Sequence, residues 1–442
     1  MMERTLVRDT KEKIGECIAL RGFVQTVRNQ KAVQFIVLRD HTGLIQIVAE
    51  HSDANHQLNE LISQLTRESA IRVTGVVVSN PNVKLGQLEV QLQTLEVDSL
   101  SDAILPIDLF GKTETEVDKR LDWRFLDLRR TENQLIFRIQ TTVEMAMREF
   151  WIANGFVEIH TPKIMGSPSE GGAELFTLEY FGQTASLAQS PQFYKQMAMA
   201  SGMERVFEIG PAFRADPSFT PRHSTEFTSV DMEMSWIDSH HDVMDFEEAW
   251  LCHVLKTVQE KHGKEIVETF GVEVIIPSRP FPRVTMEDAQ QILVKKGYLP
   301  PADTKKGDID PQGERLLCEY AREQFGHEFI FVTDYPVEVR PFYHMRKEDN
   351  STETKSFDLL WKWMEITTGA QREHRYDVLV NQAAEKGVSL ESIGFYLDFF
   401  KYGCPPHGGF GFGLARLLAA MLNQKSIRDV VFLHRGPNRL IP

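Results

Sequence analysis

Apolar and polar residues alternate along several short runs near the start of the chain. CIALRGFVQTVR (17–28), VQFIVLRD (33–40), LIQIVAE (44–50), AIRVTGVVVS (70–79) and LEVQLQTLEV (88–97) are β-branched and partly alternating, as half-buried strands are. Turn formers around Asp40 and Gly43, and between Asn80 and Gly86, divide several of them. A helical stretch at about 54–67 lies between the third and fourth runs. Farther on, NQLIFRIQTTVEMAMREFWIANG (133–155) has apolar residues at helical spacing and ends on Gly155, a natural C-cap. GFVEIHTPKIM follows as a strand broken by Pro162, and RVFEIGPAFRAD, FTSVDMEMSWI, FIFVTDYP and KSFDLLWKWMEITTG supply further strand-like runs.

These patterns divide the chain. Five strands with a helix after the third is the order of an OB-fold barrel, a fold that commonly binds single-stranded nucleic acid, so residues 1–102 are expected to form one. Residues 103–130 read as a linker or hinge. Its charge run KRLDWRFLDLRR (119–130) suits a domain junction, an RNA contact or a salt-bridged surface. In residues 131–442 the strands do not alternate regularly with helices, so an antiparallel sheet flanked by helices is expected, an α+β arrangement.

Composition narrows the function. A net charge of −14 lacks the basic surplus of proteins that coat nucleic acid, so any RNA contact must come from local basic patches. No run reaches the roughly 18 apolar residues of a membrane span. The N-terminal MMERTLVRDTKEK lacks the apolar stretch of a secretory signal. Cys17, Cys252, Cys318 and Cys404 are scattered without a CxxC pair. That favours a reducing, cytoplasmic location and argues against a cysteine-rich zinc site.

Candidate chemistry lies in charged residues within core-like strands. There is no GxxxxGK[ST] loop and no GxGxxG in a βαβ unit. GFGFGLAR (409–416) opens a helix, and helix packing or a cap accounts for a lone glycine-rich turn. In FRADPSFTPRHSTEFTSVDMEM (213–234), Arg214 ends one run and Asp231 lies in the next, with Arg222, His223, Glu226 and Phe227 between them. Buried charges meet each other or a charged ligand, so this is either an ion-pair network or a cleft wall. AQSPQFYKQ (188–196) places Gln189, Ser190, Gln192 and Lys195 beside a proline; a turn, then a helix with a solvated lysine, is the plain alternative. In FDLLWKWMEITTGAQREH (357–374), Asp358 and Glu365 fall on opposite faces of a straight strand. A bulge or turn is needed for them to share a site with Thr368 and Arg372.

Together these segments resemble the class II aminoacyl-tRNA synthetases (subclass IIb), and within them the aspartate enzymes of the shorter archaeal and eukaryotic form. GFVEIHTPKI is similar to motif 1, with Pro162 as its proline; FRAD, RHSTEF and the following Asp to motif 2; GFGFGLAR to motif 3, ending at Arg416. QSPQFYKQ and EITTGAQREH are similar to the aspartate signatures, and the class I signatures HIGH and KMSKS are absent.

The resemblance implies a ligase that joins L-aspartate to ATP, releases diphosphate and passes the aspartyl group to tRNA-Asp, with tRNA-Asn left open. It implies Arg214 and Arg416 as the catalytic cations on the phosphates. Aspartate would meet Glu170, Ser190, Gln192, Lys195, Arg214, Asp231, Thr368 and Arg372. Lys195 and Arg372 would clamp the side-chain carboxylate, and Glu170, which sits in the glycine-rich loop 166–174, Asp231 and Gln192 would face the ammonium. ATP would meet Arg214, Ala215, Asp216, Arg222, His223, Ser224, Glu226, Phe227, Glu365, Gly413, Leu414, Ala415 and Arg416, with Phe227 stacked on adenine. Glu365 and Thr368 match positions for magnesium, with Asp358 as a further acid on the nucleotide side. Arg28, Phe35 and Gln46 match anticodon readers, although Phe35 also suits a barrel core; Gln25, Lys84 and Leu85 match positions tied to tRNA discrimination. Motif 1 around Pro162 would form a homodimer. Two other readings fit parts of the pattern: an ammonia-using asparagine synthetase on the same core, whose relatives lack an OB domain, and a non-catalytic RNA-binding paralogue, indicated only by Ala415 where motif 3 usually has an acid.

Overall fold

The computed structural model describes residues 2–52, 56–111, 115–169, 174–218, 220–302 and 304–442. The chain divides into two compact units, Met1–Thr115 and Glu116–Pro442. Among the described residues, no helix is long and apolar enough to cross a membrane.

In the first unit, β1 (Cys17–Asn29), β2 (Val33–Asp40), β3 (Gly43–Glu50), α1 (His56–Gln64), β4 (Ala70–Ser79) and β5 (Leu88–Ser99) follow in order. The strands close into a barrel in the order β1-β2-β3-β5-β4. β1 is long because its first half pairs with β4 and its second half with β2. Period-two burial sends Val24, Ile36, Leu38, Ile47, Val73, Val77 and Val90 inward. Arg39 and Glu68 form a buried ion pair at 2.7 Å. Paired and hydrogen-bonded in this way, two charges are tolerated in so small a core.

The second unit begins with α2 (Val117–Asp122), α3 (Arg124–Asp127) and the long α4 (Thr131–Ala153). The two short helices occupy the expected linker, and its charge run ties down the C-terminal segment. Arg124 is buried, bonds Asp127 at 2.5 Å and donates to the carbonyls of Asp429, Val431 and Phe432, while Arg120 meets Asp429 at 2.6 Å.

β6 (Val157–Glu158) precedes Pro162, and β7 (Ile164–Met165) follows it. β7 joins β8 (Thr177–Tyr180) and β9 (Gln183–Leu187) in a small antiparallel sheet. Then come α5 (Gln192–Ala200), β10 (Arg205–Phe213), β11 (Glu226–Ser235), α6 (His240–Phe270), β12 (Arg283–Thr285), α7 (Met286–Lys295), α8 (Pro311–Phe325) and β13 (Phe329–Thr333). A hairpin of β14 (Ser356–Trp361) and β15 (Met364–Gln371) leads to α9 (Tyr376–Glu385), α10 (Gly394–Lys401), β16 (His407–Gly413), α11 (Leu414–Met421) and α12 (Ile427–Val430).

Eight strands form the main sheet in the order β12-β13-β14-β15-β16-β11-β10-β6. The expected antiparallel sheet is in fact mixed. Both outermost pairs, β12–β13 and β10–β6, run parallel, because a crossover through helices separates their strands along the chain. One sheet face packs on α4 and α6, where Trp151 stacks on Trp250 at 4.9 Å and on Phe207 at 4.5 Å. Ser239 and Asp242 form the capping box that starts α6, and Gly271 ends the helix with φ +66°.

α6 also carries a carboxyl into this core. Glu247 is fully buried and accepts from Thr367 at 2.6 Å. Burial, with Glu248 and Asp358 nearby, pushes it up from 4.5 to about 8. Between those pH values the folded chain keeps a proton that the unfolded chain releases, so stability falls as pH rises through that window. Glu247→Gln is therefore expected to match the parent at about pH 4 and to exceed it at about pH 9, as read from urea midpoints at both pH values.

Candidate active site

The site lies on the other face of the sheet, over β11, β16 and β15, and it follows from strand alternation. Along β11, Val230 and Met232 enter the core, while Phe227, Ser229 and Asp231 line a cavity of about 420 Å³. Along β16, Phe410 and Phe412 are core residues, and Gly409, Gly411 and Gly413 alternate with them. GFGFG is thus a strand rather than a turn. Its glycines make room: a Cβ on Gly409 would lie 2.3 Å from Glu233 Oε2 and 2.1 Å from Met232 O.

That room holds a charge cluster. Lys195, on α5, lies 3.0 Å from Asp231 Oδ1 and 3.4 Å from Glu233 Oε2, and donates to Phe410 O at 3.1 Å. Arg372, just past β15, donates to Glu233 Oε1 at 2.9 Å, to Glu233 Oε2 at 3.3 Å and to Gly409 O at 2.9 Å. Its Nη1 lies 3.0 Å from His344 Nε2. The two expected cations therefore converge on one buried carboxylate. Lys195 and Arg372 are 2% and 3% exposed, and Glu233 is 0%, so Lys195 is not the solvated residue of the plain alternative. Burial would raise Glu233, but Arg372 and Lys195 hold it below the usual carboxylate range. Burial and Arg372 push His344 well down, so its neutral Nε2 accepts from Arg372. Ser190 and Gln192 line the same cavity, with Gln192 N donating to Ser190 Oγ at 3.3 Å. Glu170 lies outside the described residues.

Toward the other end, Arg214 is exposed and stands 5.5 Å from the Phe227 ring centre. Arg416 donates to Glu365 O at 3.0 Å and lies 3.3 Å from its Oε1, which also accepts from Thr368 at 3.1 Å. Burial would raise Glu365, yet Arg416, Arg222 and Arg340 keep it low. A turn and a bulge at Leu359/Leu360 bring the acids together: Asp358 pairs across the hairpin with Thr368, and Leu360 with Glu365. Asp358 is engaged by Arg340 at 2.8 Å. Arg222 is held bidentately by Glu314 of α8 at 2.7 and 2.8 Å, and Glu314 also accepts from Glu365 N. His223, its pKa lowered by burial and by Arg416, bonds Thr220 at 2.5 Å.

Asp216, Ser224, Gly413 and Ala415 line the same cavity. Ala215 N donates to Glu174 O, and Ser224 Oγ donates to the carbonyls of Glu226 and Arg435. Glu226 and Leu414 instead line an adjoining cavity of about 400 Å³, which shares Phe227, Thr228 and Ala415 with the first. Among the described residues, no three acidic, histidine or cysteine side chains close a metal cage. Glu365, Thr368 and Asp358 offer oxygen donors only, the chemistry suited to a hard cation that shares its shell with phosphates.

In the first unit, Arg28 faces Phe35 across β1–β2, with its guanidinium 5.4 Å from the ring centre. Arg28 donates to Gln46 at 3.1 Å, and Gln46 donates to Glu89 at 3.0 Å. Phe35 is half-buried and outside the barrel core. Gln25 falls where the β1–β2 register slips, and Lys84 and Leu85 sit in the turn between β4 and β5.

The sequence reading missed Glu233, Glu314, Arg340 and His344. Glu233 had a signal, since acids at 231 and 233 alternate with apolar 230, 232 and 234. The other three come from segments with no charge pattern of their own.

Comparison with known proteins places this architecture. Residues 116–435 match the family "tRNA synthetases class II (D, K and N)", and residues 18–98 match the OB-fold nucleic acid binding domain. The chain is 44% identical over 98% of both sequences to the aspartate–tRNA(Asp) ligase of Pyrococcus abyssi. It is 46% identical over 98% of both to the aspartate–tRNA(Asp/Asn) ligase of Methanopyrus kandleri. Among solved structures it resembles the asparaginyl-tRNA synthetase of Pyrococcus horikoshii complexed with asparaginyl-adenylate, with TM-score 0.91 and 32% identity over all of both chains. It also resembles the aspartyl-tRNA synthetase of Entamoeba histolytica, with TM-score 0.87 and 30% identity over 100% of this chain and 93% of that one. Core, cleft and barrel together make the chain a member of the class II tRNA synthetases of the D, K and N group.

Proposed function

We propose that this chain is an aspartate–tRNA ligase: it activates L-aspartate with ATP and transfers the aspartyl group to tRNA. The observation that carries the choice of amino acid is the convergence of Lys195 and Arg372 on Glu233. Two fixed cations suit a substrate carboxylate, which they hold by charge as well as by hydrogen bonds, whereas a neutral amide takes only hydrogen bonds from them. Asp231 and Gln192 supply the opposite polarity for the ammonium. The aspartate α-carboxylate attacks the α-phosphate, and diphosphate leaves. Charge builds on the phosphate oxygens, so fixed cations do most of the work. Arg214 takes the α-phosphate and carboxylate; Arg416 takes the γ-phosphate and leaves Glu365 O to do so. Phe227 stacks on adenine. Glu365 and Thr368, with Asp358 on the nucleotide side, would hold magnesium, which when bound neutralises phosphate charge. Aspartate-dependent ATP–pyrophosphate exchange tests the assignment; exchange with asparagine or lysine but not aspartate would refute it.

The barrel, residues 1–102 in our reading, takes the anticodon through Arg28, Phe35 and Gln46. Phe35→Ala is expected to weaken tRNA charging by about 1–3 kcal/mol while leaving pyrophosphate exchange untouched. Gln25, Lys84 and Leu85 bear on tRNA-Asn; charging of tRNA-Asp and tRNA-Asn transcripts side by side decides between the two specificities. Pro162 is exposed among exposed Val157, Ile164 and Ile152, which supports a homodimer on this face. Sedimentation at micromolar concentration tests it. All four thiols are unpaired, which supports a cytoplasmic location.

A further inference from the structure

Behind the cation clamp runs a buried line of hydrogen bonds that the chemistry above does not use. His407 Nδ1 lies 2.8 Å from Pro405 O. A carbonyl only accepts, so Nδ1 carries the ring hydrogen; the Cys404 sulfur, at 3.7 Å, is the weaker partner. Burial holds the imidazole down at about 4, so the ring is neutral at pH 7 and Nε2 is a bare acceptor. Gln196 Nε2, 3.0 Å away, must therefore donate to it. Gln196 then turns its Oε1 the other way, where it accepts from Gln192 Nε2 at 2.9 Å and from Tyr396 OH at 2.9 Å. Gln192 and Gln196 lie one turn apart on α5, so they share a face. All four side chains are buried, so water does not compete for these bonds. Each bond dictates the next, and the Pro405 carbonyl ultimately decides which end of the Gln192 amide faces the cavity. Its nitrogen is turned to Gln196, which leaves the carbonyl oxygen, on the other arm of the amide, for a ligand in the cavity that Gln192 lines.

We propose that Gln196, held by His407 and Tyr396, is a positioning residue that turns the Gln192 carbonyl oxygen toward the ammonium group of the amino acid. The proposal rests on the reading that this cavity takes aspartate with Gln192 at its ammonium. It makes a distinction that a merely structural role would not. Disorienting Gln192 penalises a ligand with an ammonium and spares one without it.

The test compares L-aspartate with succinate, the same dicarboxylate without the ammonium, as an inhibitor of pyrophosphate exchange by the full chain. Gln196→Met keeps the length of the side chain and removes both polar ends. It is expected to raise the KM for aspartate roughly tenfold, with kcat, the KM for ATP and the succinate inhibition constant all within about twofold. Tyr396→Phe keeps the ring that stacks on Phe193 at 4.3 Å and removes one bond to Gln196. It is expected to shift aspartate alone, by about two- to fivefold, and it decides the matter if Gln196→Met does not fold. A parallel rise of the aspartate and succinate constants, or an aspartate KM that does not move, overturns the inference. Absence of aspartate-dependent exchange in the unaltered protein would instead defeat the functional reading beneath it.

Discussion

Arg372→Ala is expected to abolish aspartate-dependent exchange and to cost about 3–5 kcal/mol of folding stability. Both losses have one origin. Arg372 supplies two bonds to Glu233, one to Gly409 O and one to His344. Without it, Glu233 stays buried with Lys195 as its remaining cation, and in the proposed function the substrate carboxylate loses half of its clamp. Chemical denaturation and exchange assays on the same preparation check the two losses together. Arg372→Lys is expected to recover part of the stability and little of the activity, since one ammonium cannot reproduce a planar fork that bonds a carboxylate, a carbonyl and an imidazole at once. An unchanged denaturation midpoint in Arg372→Ala would mean that Glu233 does not depend on this pair.

Arg214→Ala should behave in the opposite way. Arg214 is exposed, and its described side-chain contact is the face of Phe227. Its removal should leave stability within about 0.5 kcal/mol of the parent. Yet in the proposed function it meets the phosphate charge that develops during reaction, and loss of one such donor lowers kcat by about 10²–10³. A large fall in the denaturation midpoint, or exchange at the parent rate, would remove Arg214 from the chemistry. Set side by side, the two variants separate a cation that is part of the buried core from one that stands exposed.

The local patterns were readable because they follow from backbone geometry. Strands β1 to β5 lie within two residues of their alternating runs, and α1 falls between the third and fourth of them as expected. The Asp358/Glu365 spacing announced that a straight strand would not do, and a turn and a bulge are what the hairpin supplies. The same logic failed for GFGFG. Glycine has no hydrophobicity to alternate, so a strand built on it reads as a turn until the carboxylate that fills its missing side chains is seen.

What the amino-acid order determined alone is local: where strands and helices run, which faces are apolar, and that charged residues stand in segments that will be buried. Which of those charges meet was decided by the sheet order, which places β16 between β15 and β11 and so brings residues 195, 233 and 372 to one point. Glu314 reaches Arg222 across 92 residues of chain, and His344 reaches Arg372 across 28. Such pairings carry no periodic signature. They come from desolvation, which forces each buried charge to find whichever partner the fold brings within reach.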